Sequence, residues 1–171
     1  MDYLKYYFLE EYLLKEVRGN FEKRGFLTPE EFFCIIIWKS NRAKTAIKRK
    51  LLKFNSDLRK AVKNLSSEIF NEKSNDKKLE ILLNNWKFQL PVASAILTIL
   101  YPDDFSVYDI RVRNELGIKD FCGSKDQIEK YFSEFLPRVD SLKRIKKLRD
   151  KDRYLWAKSF YKDLEKFLQA N

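Results

Sequence analysis

The sequence contains no histidine and only two cysteines among its 171 residues, and glycine and proline are scarce, with four of each. Without histidine, His-based general-base catalysis, the Ser-His-Asp and Cys-His arrangements and most zinc sites are excluded. Two cysteines are too few for an iron–sulfur cluster held by four thiolates, and they do not make a disulfide scaffold. No glycine-rich phosphate-binding loop of the P-loop or Rossmann type is present. We therefore expect no metal, no iron–sulfur cluster and no other cofactor.

The scarcity of glycine and proline also leaves few turn signals for a β fold, whereas helix-capping patterns recur along the chain. An apolar fraction of 44%, with 14 Phe, 9 Tyr and 3 Trp, is ample for a core. The predicted fold is all-α, a two-lobed helical bundle that forms a single domain. The possible lobes are at about residues 1–74, joined by the C-terminal helix, and at about residues 75–150.

Lysine and arginine outnumber aspartate and glutamate by 35 to 25, which gives a formal charge of +10. This excess favours a polyanionic partner, nucleic acid first and an anionic membrane second, over a lysine-rich surface without a partner. The longest wholly apolar run, Phe32 to Trp38, is far too short to span a bilayer, and the start of the chain does not resemble a signal peptide. We expect a soluble monomer without a membrane partner, cytoplasmic and, in a prokaryote, associated with the nucleoid.

Two segments concentrate the positive charge. The segment Lys39–Lys53 contains seven cations and no acid, on a helix whose apolar residues recur at spacings of three and four. The segment Arg138–Arg153 contains eight cations against three acids. A solvated helix face is the ordinary explanation of a charge run, but the lack of acids in the first segment favours phosphate binding. The candidate phosphate ligands in that segment are Lys39, Arg42 and Lys44.

Capping patterns and apolar periodicity predict the helix boundaries in the first part of the chain. The first helix is expected from Asp2 to Arg18, with Gly19 just past its end. A capping box, Thr28-Pro29-Glu30-Glu31, is expected to open a helix that runs to about Trp38. Ser40 is expected to cap the helix that follows.

The middle of the chain combines an apolar helix with a single well-placed acid. The helix is expected from Leu90 to Tyr101, with Ser94 as a packing residue, and a proline at its first turn suits a helix start. After a turn at Pro102-Asp103-Asp104, a short extended segment, Phe105–Tyr108, leads to Asp109. Asp109 is expected to open another helix, where the dipole and unpaired N–H groups favour a carboxylate.

Two further helices are expected near the C-terminus. Ser124 is expected to cap a helix that runs to Leu136 and stops at Pro137. The last helix is expected from Asp152 to Leu168, with Trp156 as a buried indole.

The stretch Trp86–Leu116 resembles the helix-hairpin-helix DNA glycosylases, the superfamily of endonuclease III and of the adenine and alkylpurine glycosylases. Members share a Leu-x-Gly-Val-Gly hairpin, a helix that begins with Thr-Ala or Val-Ala, and an extended run that ends in Val-Asp or Leu-Asp. Here the run Val92–Leu97 corresponds to that helix and Phe105–Val112 to the extended run, so Asp109 matches the catalytic aspartate. The similarity covers about 30 residues.

The stretch departs from the family pattern at three positions. Lys87 and Gln89 stand where the family carries the two hairpin glycines, and the Lys87 side chain is a candidate to replace a backbone contact to phosphate. Pro91 stands where bifunctional members carry a Schiff-base lysine. The resemblance therefore implies base removal without strand-cleaving lyase activity.

The resemblance implies a monofunctional DNA glycosylase that extrudes a damaged or modified base from double-stranded DNA and hydrolyses its N-glycosidic bond. Asp109 would stabilise the oxocarbenium-like sugar or orient the attacking water. The candidates for binding nucleic acid are Lys39, Arg42, Lys44, Lys87, Gln89 and Arg111. The candidates for lining a base pocket are Trp38, Trp86, Phe88 and Tyr108.

Three alternatives remain open from the sequence. On local chemistry alone, Asp109 is a plain helix N-cap. The chain can also be a non-catalytic DNA-binding protein of the same fold, or a basic helical interaction protein that docks an acidic partner. The base, and the choice between base excision repair and defence against modified foreign DNA, are not specified by the sequence.

Overall fold

The computed structural model describes residues 3–169 and shows an all-α protein, with no strand in that range. Its contacts divide the chain into two units, the first ending at Phe88 and the second beginning at Gln89. The sequence suggested a division near residue 75, with the last helix joining the first lobe. The structure instead groups the last helix with the second unit, because that helix packs along a short helix after Asp109.

The first unit contains six helices among its described residues. In chain order they are α1 (Leu4–Tyr7), α2 (residues 9–24, widened to a π-helix over Leu13–Val17), α3 (Pro29–Ser40), α4 (Lys44–Phe54, preceded by a 3-10 turn at Asn41–Ala43), α5 (Leu58–Asn71) and α6 (residues 75–85, π-helical over Ile81–Asn85).

The predicted end of the first helix at Gly19 is wrong, because Gly19 lies inside α2. The helix continues for another turn, since Phe21 is buried in the core and the Asn20 amide donates to the Glu31 carboxylate at 3.0 Å. It ends instead at Gly25, whose φ of 78° is left-handed and suits a residue without a Cβ. The predicted start, Asp2, lies outside the described residues.

The predicted capping box at the start of α3 is confirmed. Thr28 Oγ1 accepts a hydrogen bond from the Glu31 N–H, and the Glu31 carboxylate accepts one from the Thr28 N–H at 2.8 Å. The predicted cap at Ser40 is wrong, since the Ser40 side chain accepts no hydrogen bond from the helical turn that follows it. A residue that the prediction omitted, Asp57, caps α5 by accepting from two N–H groups of its first turn.

The second unit contains four helices among its described residues. They are α7 (Leu90–Leu100), α8 (Ile110–Glu115), α9 (residues 127–140, π-helical over Tyr131–Phe135) and α10 (Leu148–Gln169). Helix α7 forms the centre of this unit, because every residue from Ala93 to Leu100 is buried. The expected helix at Leu90–Tyr101 is thus confirmed to within one residue.

The predicted helix stop at Pro137 is wrong, because α9 passes through the proline and ends at Asp140. A π turn, Tyr131–Phe135, ends two residues before Pro137, where the missing N–H would interrupt regular α-helical hydrogen bonding. The widened turn thereby lets the helix continue. Val139, beyond the proline, is buried and anchors the extension.

The expected buried indole on the last helix is also wrong. Asp152 and Leu155 are buried, but the Trp156 side chain is 44% exposed and stacks on Phe160. Beyond Leu155, α10 is exposed along most of its length. No described helix is both long enough and apolar enough to cross a membrane.

Candidate functional site

The segment before Asp109, Phe105–Tyr108, lies outside the helices and is almost completely buried. Among the described residues it has no neighbouring strand, so its backbone polar groups need other partners. Side chains from α7, α9 and α10 supply these partners.

Tyr131 of α9 holds the segment at Ser106. Its hydroxyl accepts a hydrogen bond from the Ser106 N–H at 3.0 Å and donates one to the Ser106 carbonyl oxygen at 2.6 Å. Tyr131 is fully buried, and burial raises the pKa of its phenol far above the usual value. The neutral hydroxyl that this double contact requires is therefore the stable form.

Asp152 of α10 holds the next residue. Its Oδ2 accepts from the Val107 N–H at 3.1 Å and from Ser106 Oγ at 3.2 Å, while Oδ1 accepts from the Arg149 guanidinium. The Asp152 side chain is 1% exposed, so the guanidinium and the two donors balance a buried charge. The carboxylate links α10 to the segment before Asp109.

Ser94 of α7 holds the last residue of the segment. Ser94 is buried, as expected of a packing residue, and its hydroxyl oxygen also accepts a hydrogen bond from the Tyr108 N–H at 2.9 Å. The Tyr108 hydroxyl in turn donates to Asp120 at 3.1 Å and accepts from the Phe121 N–H. Burial raises the pKa of Tyr108 to about 12, which keeps this hydroxyl protonated as a donor.

Asp109 follows this fixed segment and opens α8, as predicted. Its backbone is extended, and its Oδ1 accepts a hydrogen bond from the Arg111 N–H at 2.9 Å. Asp109 is half-buried and the next residue, Ile110, is 63% exposed. The carboxylate thus sits where a rigid segment reaches the surface of the second unit.

Arg111 packs against an exposed aromatic pair on α10. Its guanidinium carbon lies 5.4 Å from the centre of the Trp156 ring and 5.7 Å from that of the Phe160 ring. It also forms an ion pair with Asp163 at 2.5 Å. Two further ion pairs, from Lys158 and Lys162 to Glu115, hold α10 along α8.

Lys87 lies at the tip of the turn after α6 and has an unusual backbone. Its φ of 56° is the only positive value at a non-glycine residue among the described positions. The Lys50 ammonium group donates a hydrogen bond to the Lys87 carbonyl oxygen. The flanking residues Trp86 and Phe88 are buried, whereas the Lys87 side chain is exposed. A left-handed residue therefore occupies the position at which the sequence resemblance predicts the first of two glycines.

The aromatic candidates for a base pocket occupy different environments. Trp86, Phe88 and Tyr108 are at most 6% exposed, and the Trp86 indole N–H donates to Glu68 at 3.0 Å. In this conformation these three side chains belong to the cores of their units. Trp38 is half-buried.

The candidate phosphate ligands lie at the end of α3 and the start of α4. Arg42 and Lys44 are exposed and Lys39 is half-buried, while the Lys44 ammonium donates to Asn41 at 2.6 Å. In the second unit, Gln89 precedes α7 and is exposed. These positions leave charged or polar groups accessible on both units.

The second basic segment is divided by its contacts. Four of its cations bind groups of the protein: Arg138, Arg149, Lys151 and Arg153. The other four, Lys143, Arg144, Lys146 and Lys147, are exposed in the stretch that joins α9 to α10. The accessible charge of this segment is therefore concentrated in residues 143–147.

Among the described residues, no group of three or more histidine, cysteine, aspartate or glutamate side chains is arranged to hold a metal ion. No protein-family model matches the chain, no curated protein matches it in sequence, and no solved structure matches it. The resemblance to the glycosylases therefore rests on the residues of the stretch Trp86–Leu116 themselves.

Proposed function

We propose that the protein is a monofunctional DNA glycosylase of the helix-hairpin-helix type, with Asp109 as its catalytic carboxylate. The observation that carries the proposal is the fixed presentation of Asp109. Three buried polar side chains on three helices, Ser94, Tyr131 and Asp152, bind consecutive residues of the segment before it. Such an arrangement pre-organises one carboxylate at the surface, which is what electrostatic stabilisation of a transition state requires.

The chemistry of N-glycosidic bond cleavage suits a single carboxylate without a metal. The sugar becomes oxocarbenium-like as the base departs, and an adjacent carboxylate stabilises that charge or orients the water that attacks C1′. Asp109 can do either. Since Pro91 has no side-chain amine, the chain offers no nucleophile at the position where bifunctional relatives form a Schiff base.

The proposed partner is double-stranded DNA, and exposed cations on each unit support it. The first unit presents Arg42 and Lys44, and the second presents the four cations of residues 143–147. Lys87 supports the hairpin assignment, because its φ of 56° is the conformation that a hairpin glycine would adopt at low cost. We propose that residues 77–101 are a helix, turn and helix of this type and that the Lys87 ammonium binds a phosphate.

The departures from the family pattern at Lys87 and Gln89 support a second candidate function, a non-catalytic DNA-binding protein of this fold. Lysine and glutamine at the two glycine positions change the backbone surface that the family offers to DNA. Incubation with a panel of duplexes that carry oxidised, alkylated, deaminated or hypermodified bases, followed by mass spectrometry of released bases, separates the two. Release of any base supports the glycosylase, whereas tight binding without release supports the alternative.

Salt dependence tests the DNA partner itself. If about five phosphates are neutralised, log K should fall with log[salt] at a slope of about −4 to −5. Replacing Lys39, Arg42 and Lys44 together should flatten that slope by about 2 to 3 units. A slope near zero for the wild-type protein would instead favour an interaction protein that docks an acidic partner.

A further inference from the structure

The exposed aromatic pair Trp156 and Phe160 on α10 has a geometry that the fold itself does not require. The rings are nearly parallel, with an interplanar angle of 6° and 5.7 Å between their centres. They remain 44% and 47% exposed, although they are two of the largest apolar side chains of the helix. Large aromatic surfaces left open to water in this way mark interaction sites.

The pair is positioned by the same element that Asp109 opens. The Arg111 guanidinium lies against both rings and is held by Asp163. The N–H of that same Arg111 donates to the Asp109 carboxylate. One residue therefore links the carboxylate to the aromatic surface within a single unit, so a nucleotide bound at one is close to the other.

We propose that Trp156 and Phe160, backed by Arg111, form a stacking platform for an unpaired DNA base next to Asp109. This inference rests on the proposed function, because it names the surface that would receive a base extruded from the duplex. Aromatic rings bind bases of any identity through their faces, and a neighbouring guanidinium adds a cation–π contribution. The platform thus selects for an unpaired base and not for a particular sequence.

Charge complementarity supports a nucleic-acid occupant over an apolar one. The exposed cations Lys143, Arg144, Lys146 and Lys147 directly precede α10, which begins at Leu148. Trp156 follows Leu148 by eight residues, about 12 Å along a helix that rises 1.5 Å per residue. A DNA strand advances about 3.4 Å per nucleotide, so three to four nucleotides span the distance from the cations to the rings. Phosphates can therefore bind the cations while a base of the same strand stacks on Trp156.

The test compares a fluorescein-labelled duplex containing one bulged adenine with the fully paired duplex. The wild-type protein should bind the bulged duplex several-fold more tightly. Trp156→Leu should weaken binding to the bulged duplex about tenfold, which corresponds to about 1.4 kcal/mol, and leave binding to the paired duplex unchanged. Phe160→Leu should act in the same direction. Tyr161→Leu is the matched control, because Tyr161 is an aromatic of α10 that is 58% exposed and lies outside the stacked pair.

Trp156→Phe provides a second readout. It should keep the preference for the bulged duplex, since a phenyl ring still stacks, but it should lose most of the tryptophan quenching that is expected when the wild-type protein binds that duplex. Equal loss of affinity for both duplexes in Trp156→Leu, or quenching that persists in Trp156→Phe, would overturn the platform. So would a concentration-dependent dimer in sedimentation that Trp156→Leu abolishes, because the face would then belong to a second copy.

The test of the stacking platform can fail or succeed independently of the test of the glycosylase activity. Asp109→Asn should retain the full preference for the bulged duplex, because stacking does not require the carboxylate. A wild-type protein that shows the preference but releases no base would contradict the glycosylase and leave the platform standing. A wild-type protein that releases base but shows no dependence on Trp156 would contradict the platform alone.

Discussion

Replacing Lys87 with glycine should stabilise the protein, although it removes a side chain. At a φ of 56° a residue with a Cβ is strained by about 1–2 kcal/mol, and glycine is not. Glycine loses more conformational freedom on folding than lysine does, and this cost offsets about 0.5–1 kcal/mol of the stability gained by relieving the strain. The Lys87 side chain is exposed, and the hydrogen bond from Lys50 is to the backbone carbonyl, so glycine keeps it. The net gain in the free energy of unfolding should be about 0.5–1 kcal/mol.

The assays are thermal and denaturant unfolding of wild type, Lys87→Gly and Lys87→Ala. In a protein of this size, a gain of that order raises Tm by about 1–4 °C with an unchanged m-value. Alanine is the matched control, because it removes the ammonium group but keeps the strain, so its stability should stay within about 0.5 kcal/mol of wild type. If glycine and alanine behave alike, the strain argument is refuted.

The same pair of variants tests why a lysine occupies this position. Each removes one phosphate contact if Lys87 binds DNA, so each should reduce the magnitude of the salt slope by about 0.9. A stabilised Lys87→Gly with unchanged DNA binding would mean that the lysine is not retained for phosphate. If Lys87→Gly is more stable but binds DNA less well, the wild-type lysine lowers the stability of the protein and strengthens its binding to DNA.

Three further predictions concern the segment before Asp109, the alkaline range and lyase chemistry. Tyr131→Phe leaves a buried N–H and a buried carbonyl oxygen of Ser106 unpaired, so unfolding should become about 2–4 kcal/mol easier in urea, and a loss below about 1 kcal/mol would contradict the assigned role. Burial raises the pKa of both Tyr12 and Tyr108 to about 12, above about 10 in the unfolded chain, so stability should be intact below about pH 10 and fall between about pH 10 and 12. Tyrosinate absorbance should show that these two phenols ionise at higher pH than in the unfolded chain. Unchanged stability between about pH 10 and 12 would be evidence against the raised pKa values. Base release should leave intact abasic sites, and a borohydride-trapped adduct with any lysine would disprove the absence of lyase activity.

Local patterns predict the parts of the fold that local physics determines. The capping box at Thr28, the apolar helix from Leu90 and the N-cap at Asp109 depend on neighbours within four residues, and all three are present. Helix ends that depend on distant residues are predicted badly. Gly19 does not stop α2, because Glu31 and the core hold the next turn, and Pro137 does not stop α9, because a π turn precedes it.

In the candidate site, too, features that depend on nearby residues are predictable and features that depend on distant residues are not. The position of Asp109 at a helix start follows from the extended run before it, but its supports cannot be inferred from local sequence. Tyr131 and Asp152 lie 25 and 45 residues or more from the segment they bind. Neither stands in a recognisable motif, and only the lack of a strand partner for a buried extended run would have indicated that such side chains were needed.

The exposed aromatic pair was also not predictable, for a related reason. Trp156 follows Leu155 in an apolar pattern, and an indole in such a pattern is usually buried. Whether it faces the core depends on how α10 packs along α8. That packing involves residues far away in sequence, such as Glu115, which pairs with Lys158 and Lys162 from more than 40 residues away.

A comparison of two helix caps, Asp109 and Asp57, separates a catalytic role of Asp109 from a capping role alone. Asp57 opens α5 with the same kind of hydrogen bond, in which Oδ1 accepts from the N–H two residues on, at 2.8 Å against 2.9 Å for Asp109. Asparagine caps helices as well as aspartate, so Asp57→Asn and Asp109→Asn should both fold normally. Base release from the best duplex of the panel should then be measured by mass spectrometry for both. We expect wild-type release for Asp57→Asn and at least a hundredfold slower release for Asp109→Asn, about 3 kcal/mol of transition-state stabilisation. If Asp109→Asn releases the base at the wild-type rate, Asp109 is a helix cap without a catalytic role.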